Sequence, residues 1–327
     1  MFDQYGRKIE YLRLSLTDRC NLRCRYCMPA AGVLKMRHED ILTFDEILTV
    51  LRPLARLGIK KVRLTGGEPL VRKGLPDLLA MIARVPGIEQ TALTTNGVLL
   101  AEMAGALQSA GLTELNISLD TLQAPVFTGI TRRALLDRVK AGLQTVRELG
   151  LRQVKINCVP LAGVNEQELP ELAALAKDWA VKVRFIELMP IGCGWQAGYR
   201  GVPLQAVRRQ LEAAYGPLIP VTPVEPGVWG PASYYKIPGW AGEIGFIDAL
   251  EHKFCHNCNR VRLTADGYLK LCLNQRSGLD VKALLRRGVS EDELGQALAQ
   301  AVYRKPAEHL FGELHGHDWR AMYQVGG

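Results

Sequence analysis

The sequence predicts an α/β fold: an open, partial (β/α)6 barrel of the TIM type, followed by a smaller C-terminal α+β region. Three observations carry this prediction. Short β-type runs alternate with helix-type runs six times before residue 216, at intervals of roughly 30 residues, as expected of parallel strands with crossover helices. The β-type runs alternate apolar with polar or cationic residues, whereas strands covered on both faces read as nearly continuous apolar runs. From about Gly216 the repeat gives way to sequence rich in Pro and Gly. The expected regions are therefore 1–215, the barrel, and 216–327.

The units run in order. "YLRLSLT" (11–17) precedes "TFDEILTVLRPLARLG", where Thr43 is the N-cap and Gly58 the stop. "KKVRLT" (60–65) precedes "LPDLLAMIARV", and "TALTTN" (91–96) precedes "LLAEMAGALQSAG". "ELNISLD" (114–120) leads to "RRALLDRVKAGLQTVRELG", and "QVKINCV" (153–159) to "EQELPELAALAKDWA". "VKVRFIEL" (181–188) leads to "PLQAVRRQLEAAYG". Beyond it, "NRVRLTADGYLKLCL" reads as a hairpin with Asp266-Gly267 at its turn. Ser290 and Glu293 form a capping box for a final helix.

Side chains alternate across a strand. Leu12, Leu14 and Leu16 share one face of the first run, and Arg13, Ser15 and Thr17 share the other. Arg63 and Lys155 lie on the corresponding polar faces of their runs. A flat sheet covered on both sides would bury such groups without partners, at about 1–3 kcal/mol each. A curved sheet with a wide, wet interior removes that cost. In such barrels chemistry sits at the C-terminal ends of the strands, where this chain has a cysteine cluster, "GGEP", "TTNG", "SLD" and "ELMP". Arg13, Arg63 and Lys155 pointing inward repel one another and invite an anion, for which phosphate is well suited.

The 327 residues, 48% hydrophobic and 23% charged, suffice for a large core without disulfide staples. The first residues, "MFDQYGRKIEYLRL", hold no apolar run of leader length, and no stretch is apolar enough to span a bilayer. The expected location is the cytoplasm, where clustered cysteines bind metal or do chemistry. The net charge of +8 comes without a dense Lys/Arg block or interleaved aromatics, so neither nucleic acid nor membrane is an expected partner.

Cys20, Cys24 and Cys27 follow the first strand as Cys-x3-Cys-x2-Cys. Three thiolates leave a fourth ligand place open. Zinc and iron–sulfur both accept thiolates, so the count alone decides nothing. The spacing, with Tyr26 before the last cysteine and "GGEP" after the second strand, resembles the radical S-adenosylmethionine superfamily. That resemblance implies a [4Fe–4S] cluster whose open iron binds S-adenosylmethionine, with Gly67 against its methionine amino group.

Cys255, Cys258 and Cys272 form a second triad. His252 and His256 lie near it, so spacing leaves a Cys3His zinc site and an iron–sulfur cluster equally open. Arg260 and Arg262 share a strand face beside these thiols. The segments "LRLSLTDRCNLRCRYCMP", "VRLTGGEPL", "LTTNG", "NISLD", "RFIELMP", "FCHNCNRVRLTADGYLKLCL" and the final "VGG" are similar to the GTP 3′,8-cyclase family of molybdenum cofactor biosynthesis.

This resemblance spans essentially the whole chain and implies two [4Fe–4S] clusters, the second touching guanine. It implies GTP contacts at Arg13, Arg63, Thr94, Lys155, Arg260 and Arg262. It implies S-adenosylmethionine contacts at Tyr26, Gly67, Ser118 and Met189, and a catalytic role for Arg13, Arg260, Arg262 and the tail residues Gly326 and Gly327. The implied reaction is abstraction of the ribose 3′ hydrogen by a 5′-deoxyadenosyl radical, attack on guanine C8, then reduction and protonation. Implied partners are a reductant protein, a downstream pyranopterin-forming enzyme and a second copy of the chain in a homodimer. Cys158 reads as core, Cys193 as an exposed thiol, and His315 and His317 as solvent-facing.

Overall fold

The structure, a computed structural model, describes residues 1–191, 198–222, 230–250, 252–311, 318 and 320–326. The six expected strands form: β1 (Tyr11–Ser15), β2 (Lys61–Thr65), β3 (Gln90–Thr95), β4 (Glu114–Ser118), β5 (Val154–Cys158) and β6 (Lys182–Ile186). They are parallel neighbours in chain order. The connecting helices include α1 (Phe44–Arg56), α2 (Leu75–Ala83), α3 (Leu100–Ser109), α4 (Ala124–Thr131) and α5 (Leu136–Glu148). The apolar strand faces, Leu12 and Leu14, Val62 and Leu64, Leu115 and Ile117, are buried in one core with residues of these helices. That is the alternation acting as predicted: the outer face packs and the inner face stays polar.

Thr43 caps α1 in a capping box with Glu46, as the sequence predicts. β2 ends at Thr65 as expected, and the other five strands end one or two residues earlier than their pattern suggests. The run after β5 also differs from its pattern. It breaks into a 3-10 turn (Glu166–Glu168), α6 (Leu169–Ala173) and a second 3-10 turn (Ala174–Ala176). Pro170 stands where a longer helix would need its N–H. Glu168 also turns away to accept from Thr121 Oγ1 (2.6 Å) and the Leu122 N–H (3.1 Å).

After α7 (Leu204–Tyr215) the chain supplies β7 (Ile219–Pro220), β8 (Ser233–Lys236), β9 (Glu243–Ile247), β10 (Arg260–Leu263), β11 (Tyr268–Lys270) and β12 (Gly278–Asp280). These strands join the barrel sheet at both edges: β9 runs parallel to β6 and β10 parallel to β1. The order is β12-β11-β10-β1-β2-β3-β4-β5-β6-β9-β8-β7, a sheet that does not close. The expected hairpin is β10–β11, with Arg262 opposite Lys270 and Gly267 at φ 81° in the connection. Then come α8 (Val281–Arg286), α9 (Glu291–Tyr303), capped by Ser290 and Glu293, and the short α10 (Met322–Val325). Among the described residues no helix is long and apolar enough to cross a membrane.

Candidate active site

Parallel register aligns the polar strand faces into rows. Tyr11 stands between Arg260 and Lys61, and Arg13 between Arg262 and Arg63. Thr94, Asn116, Lys155 and Lys182 make another row, and Ser118, Asn157 and Arg184 the next. Arg13, Arg63 and Lys155 thus face the interior together, as alternation predicts. Arg63, Arg184 and Arg262 are buried. Burial pushes the Tyr11 phenol up, but Arg63, Arg13 and Lys61 outweigh it and bring it down to about 8. Burial, then repulsion by Arg260, lowers Arg262 to about 10. The Tyr11 shift reports a positive interior, and that of Arg262 reports burial first and its cationic neighbour second.

That interior also holds its own anion. Glu114 Oε2 lies 2.5 Å from Lys61 Nζ, and Glu114 Oε1 lies 2.7 Å from Lys155 Nζ and bonds the Arg63 guanidinium. Burial opposes ionisation of Glu114, but Arg63, Lys155 and Lys61 hold its carboxyl far below the usual range. The sequence reading missed Glu114, Lys61 and Arg184. Their parity within "ELNIS", "KVRLT" and "KVRFI" was the available signal. Arg184 is fixed by two bonds to Asn157 Oδ1, at 2.6 and 2.9 Å.

The first triad sits on the loop after β1. That loop is held by backbone bonds from the segment after β2: Gly67 N–H donates to Thr17 O and Glu68 N–H to Arg19 O, both at 2.7 Å. A Cβ on Gly67 would stand 2.4 Å from Arg19 O, so this close approach requires glycine. From the other side, the Arg23 and Arg25 N–H groups donate to Thr131 O (2.9 Å) and Ile130 O (3.0 Å) at the end of α4. Arg132, at φ 56° the only non-glycine with positive φ among the described residues, donates to Arg23 O (2.8 Å) and Met28 O (3.2 Å). Tyr26 donates its hydroxyl to Asp120 Oδ2 at 2.5 Å, tying the loop to the end of β4.

The second triad is built differently. Cys255 opens a 3-10 turn (Cys255–Asn257), Cys258 follows it directly, and Cys272 follows β11. Buried Arg7, paired with Asp3, donates to Cys255 O (2.8 Å), Ala307 O (2.7 Å) and Pro306 O (2.6 Å) and pins this turn. Burial pushes the Cys258 thiol up, but Arg260 and Lys305 outweigh it and lower it to about 7. His252 bonds Asp248.

Because β10 is parallel to β1, the two triads lie at opposite ends of that strand pair. Cys20 follows the C-terminal end of β1, whereas Cys258 precedes the N-terminal end of β10. Tyr11, Arg13, Arg260 and Arg262 lie between. Arg262 also donates to Gly326 O (2.6 Å) and Val325 O (3.3 Å), which draws the tail to the same wall. Gly326 has φ 76°, and a Cβ there would lie 2.2 Å from Thr65 Oγ1. Thr94 accepts from Arg63 at 3.4 Å. Ser118 is exposed at the end of β4, and Met189 is half-buried after β6. Cys158 is fully buried, as expected of core. Cys193, His315, His317 and Gly327 lie outside the described residues.

Comparison with known proteins supplies the family. A model described as the radical SAM superfamily matches residues 14–176, and one described as Molybdenum Cofactor Synthesis C matches 181–311. The GTP 3′,8-cyclase of Pelotomaculum thermopropionicum is 47% identical over 330 residues, and that of Moorella thermoacetica 45% over 327, with 100% of both chains covered in each case. The chain belongs to the GTP 3′,8-cyclase family. Among solved structures, SuiB of Streptococcus suis matches at a TM-score of 0.60 and 14% identity, covering 92% of this chain and 67% of SuiB. SuiB bound to S-adenosylmethionine gives 0.58 at 14% identity, and there the match covers 81% of this chain and 60% of SuiB. These likenesses speak to the fold, a partial barrel.

Membership of the GTP 3′,8-cyclase family brings iron–sulfur and S-adenosylmethionine chemistry, and the donors fit it. The seven cysteines among the described residues are thiols, not disulfides. Burial pushes the Cys24 thiol far up, and the charges of Cys27, Asp120 and Cys20 push it further. Burial likewise raises Cys255, with Cys258 and Cys272 adding to it. Yet among the described residues no three His, Cys, Asp or Glu converge tightly enough to share one metal ion. Thiolates on separate irons of a cluster stand farther apart than ligands of a single ion.

Proposed function

We propose that this chain converts GTP to (8S)-3′,8-cyclo-7,8-dihydroguanosine 5′-triphosphate, the cyclisation that opens molybdenum cofactor biosynthesis. The observation that carries the reading is the placement of two cysteine triads at opposite ends of one cation-lined interior. Cys20, Cys24 and Cys27 would hold one [4Fe–4S] cluster, and Cys255, Cys258 and Cys272 a second. When bound, the first cluster and S-adenosylmethionine supply reductive cleavage of a sulfonium and, with it, a hydrogen-atom acceptor for the ribose 3′ position.

The protein's own groups do the positioning. Arg13, Arg63, Lys155, Arg260 and Arg262, with Lys61 and Arg184, neutralise a triphosphate lying along the rows, and Thr94 adds a hydroxyl. Glu114 neutralises Lys61, Arg63 and Lys155 in the empty site, a role that the triphosphate takes over when it binds. Tyr26, Gly67, Ser118 and Met189 ring the first triad's end of the barrel and form the S-adenosylmethionine subsite. Arg262 holds the Gly326 carbonyl against the wall of the interior, which supports a role for this residue beside the nucleotide.

The activity needs a reductant protein and a downstream enzyme that rearranges the cyclised nucleotide into a pyranopterin. We place it in the cytoplasm. The test is anaerobic incubation of the reconstituted chain with GTP, S-adenosylmethionine and a chemical reductant. The reading predicts 5′-deoxyadenosine whose formation depends on GTP. Intact clusters without GTP-dependent 5′-deoxyadenosine would overturn it.

A further inference from the structure

The segment after β3, Thr95-Asn96-Gly97, enters the site through one side chain. The Asn96 carboxamide Nδ2 lies 3.6 Å from Cys20 Sγ and 2.7 Å from Asn21 Oδ1. Its orientation is determined by its neighbours. The Val98 N–H, 3.1 Å from Asn96 Oδ1, requires an acceptor on that side, so the NH2 end must face Cys20 and Asn21. The backbone beneath is clamped as well. The Asn96 N–H donates to Glu68 Oε2 (2.7 Å), and buried Glu68 also accepts from Thr95 Oγ1 (2.7 Å) and the Leu70 N–H (3.0 Å). Glu68 therefore links the segments after β2 and β3, and Asn96 delivers that link to the sulfur of the first triad. The Leu22 N–H, 3.4 Å away, is a second donor to this sulfur.

We propose that Asn96 is a positioning and tuning residue for the first cluster: its carboxamide donates to the Cys20 thiolate and raises the cluster's reduction potential. The physical basis is general. Reduction adds negative charge to a cluster and its thiolates, and a donor on sulfur stabilises the more negative state. The inference rests on the cluster assignment given under Proposed function. Glu68 serves by fixing Asn96 and does not itself reach the sulfur.

The test is a redox titration, followed by electron paramagnetic resonance, of the full-length reconstituted chain and of Asn96→Leu and Asn96→Asp. The first cluster's signal is identified by its survival in a Cys255→Ala/Cys258→Ala/Cys272→Ala variant. The potential is expected to fall in Asn96→Leu, which removes the donor. It should fall further in Asn96→Asp, which puts a carboxylate against the sulfur. Equal potentials in all three proteins with clusters loaded would overturn the inference. A wild-type chain that assembles no cluster on the first triad would instead overturn the cluster assignment. Should the variants lose the cluster, pulsed resonance on wild type carrying 15N-asparagine decides. A 15N coupling to the reduced cluster, retained when Asn21 is replaced by alanine, supports the donor, and its absence overturns it.

Discussion

Glu114→Gln keeps the shape of the side chain at the centre of the interior and removes its charge. In the wild type that charge faces Lys61 at 2.5 Å, Lys155 at 2.7 Å and the Arg63 guanidinium. The Glu114 and Arg63 side chains are each only 3% exposed, while Lys61 and Lys155 are 19% and 15% exposed. Removing one member of a buried ion pair costs roughly 3–5 kcal/mol, because the surviving charge stays buried uncompensated. Water at the two lysines relieves part of this, so we expect the lower end, about 3 kcal/mol. Urea unfolding of the apo chain at pH 7 measures it directly. Saturating GTP supplies the missing negative charge, and the gap between the proteins should shrink to about 1 kcal/mol. By linkage, that 2 kcal/mol recovery means about 30-fold tighter GTP binding by the variant. A gap below about 0.5 kcal/mol without nucleotide, or one that GTP leaves unchanged, would refute the reasoning.

Acid titration probes the same carboxylate. Its folded-state pKa is depressed, so its contribution is present above the unfolded carboxyl value of about 4.3 and is lost as pH falls toward the depressed value. The stability gap between wild type and Glu114→Gln should narrow from pH 5 to 3, and a constant gap in urea titrations would contradict this. Gly67→Ala places a methyl 2.4 Å from a backbone oxygen of the Cys loop. It should cost more than about 2 kcal/mol and lower iron uptake by the first triad, read by iron analysis. Gly326→Ala combines left-handed strain of about 1–2 kcal/mol with a clash on Thr65, so GTP-dependent 5′-deoxyadenosine formation should fall at least tenfold. Adding Thr65→Ala should recover the steric part and leave the backbone part.

Alternation alone made the inward cations legible, because period-two patterning is a local property of each strand. The cysteine triads and capping boxes were equally local. Glu114 was not legible as a hub, since its meaning depends on register with three residues from two other strands. Nor was the pairing of β10 with β1, which crosses some 250 residues and turns the second triad into the far end of the barrel. The break in the helix after β5 was signalled by Pro170, but the diversion of Glu168 to Thr121 is a tertiary contact. Asn96 and Arg132 look in sequence like turn and helix-end residues. Only their reach to the Cys loop gives them a role.

Iron content of the anaerobically reconstituted chain tests the central claim most directly. Two open-site clusters require about eight irons per chain, falling to about four when either triad is replaced by alanine. The resonance of the first should change on adding S-adenosylmethionine, and that of the second on adding GTP. About four irons in the intact chain, or zinc at either triad, would contradict the account.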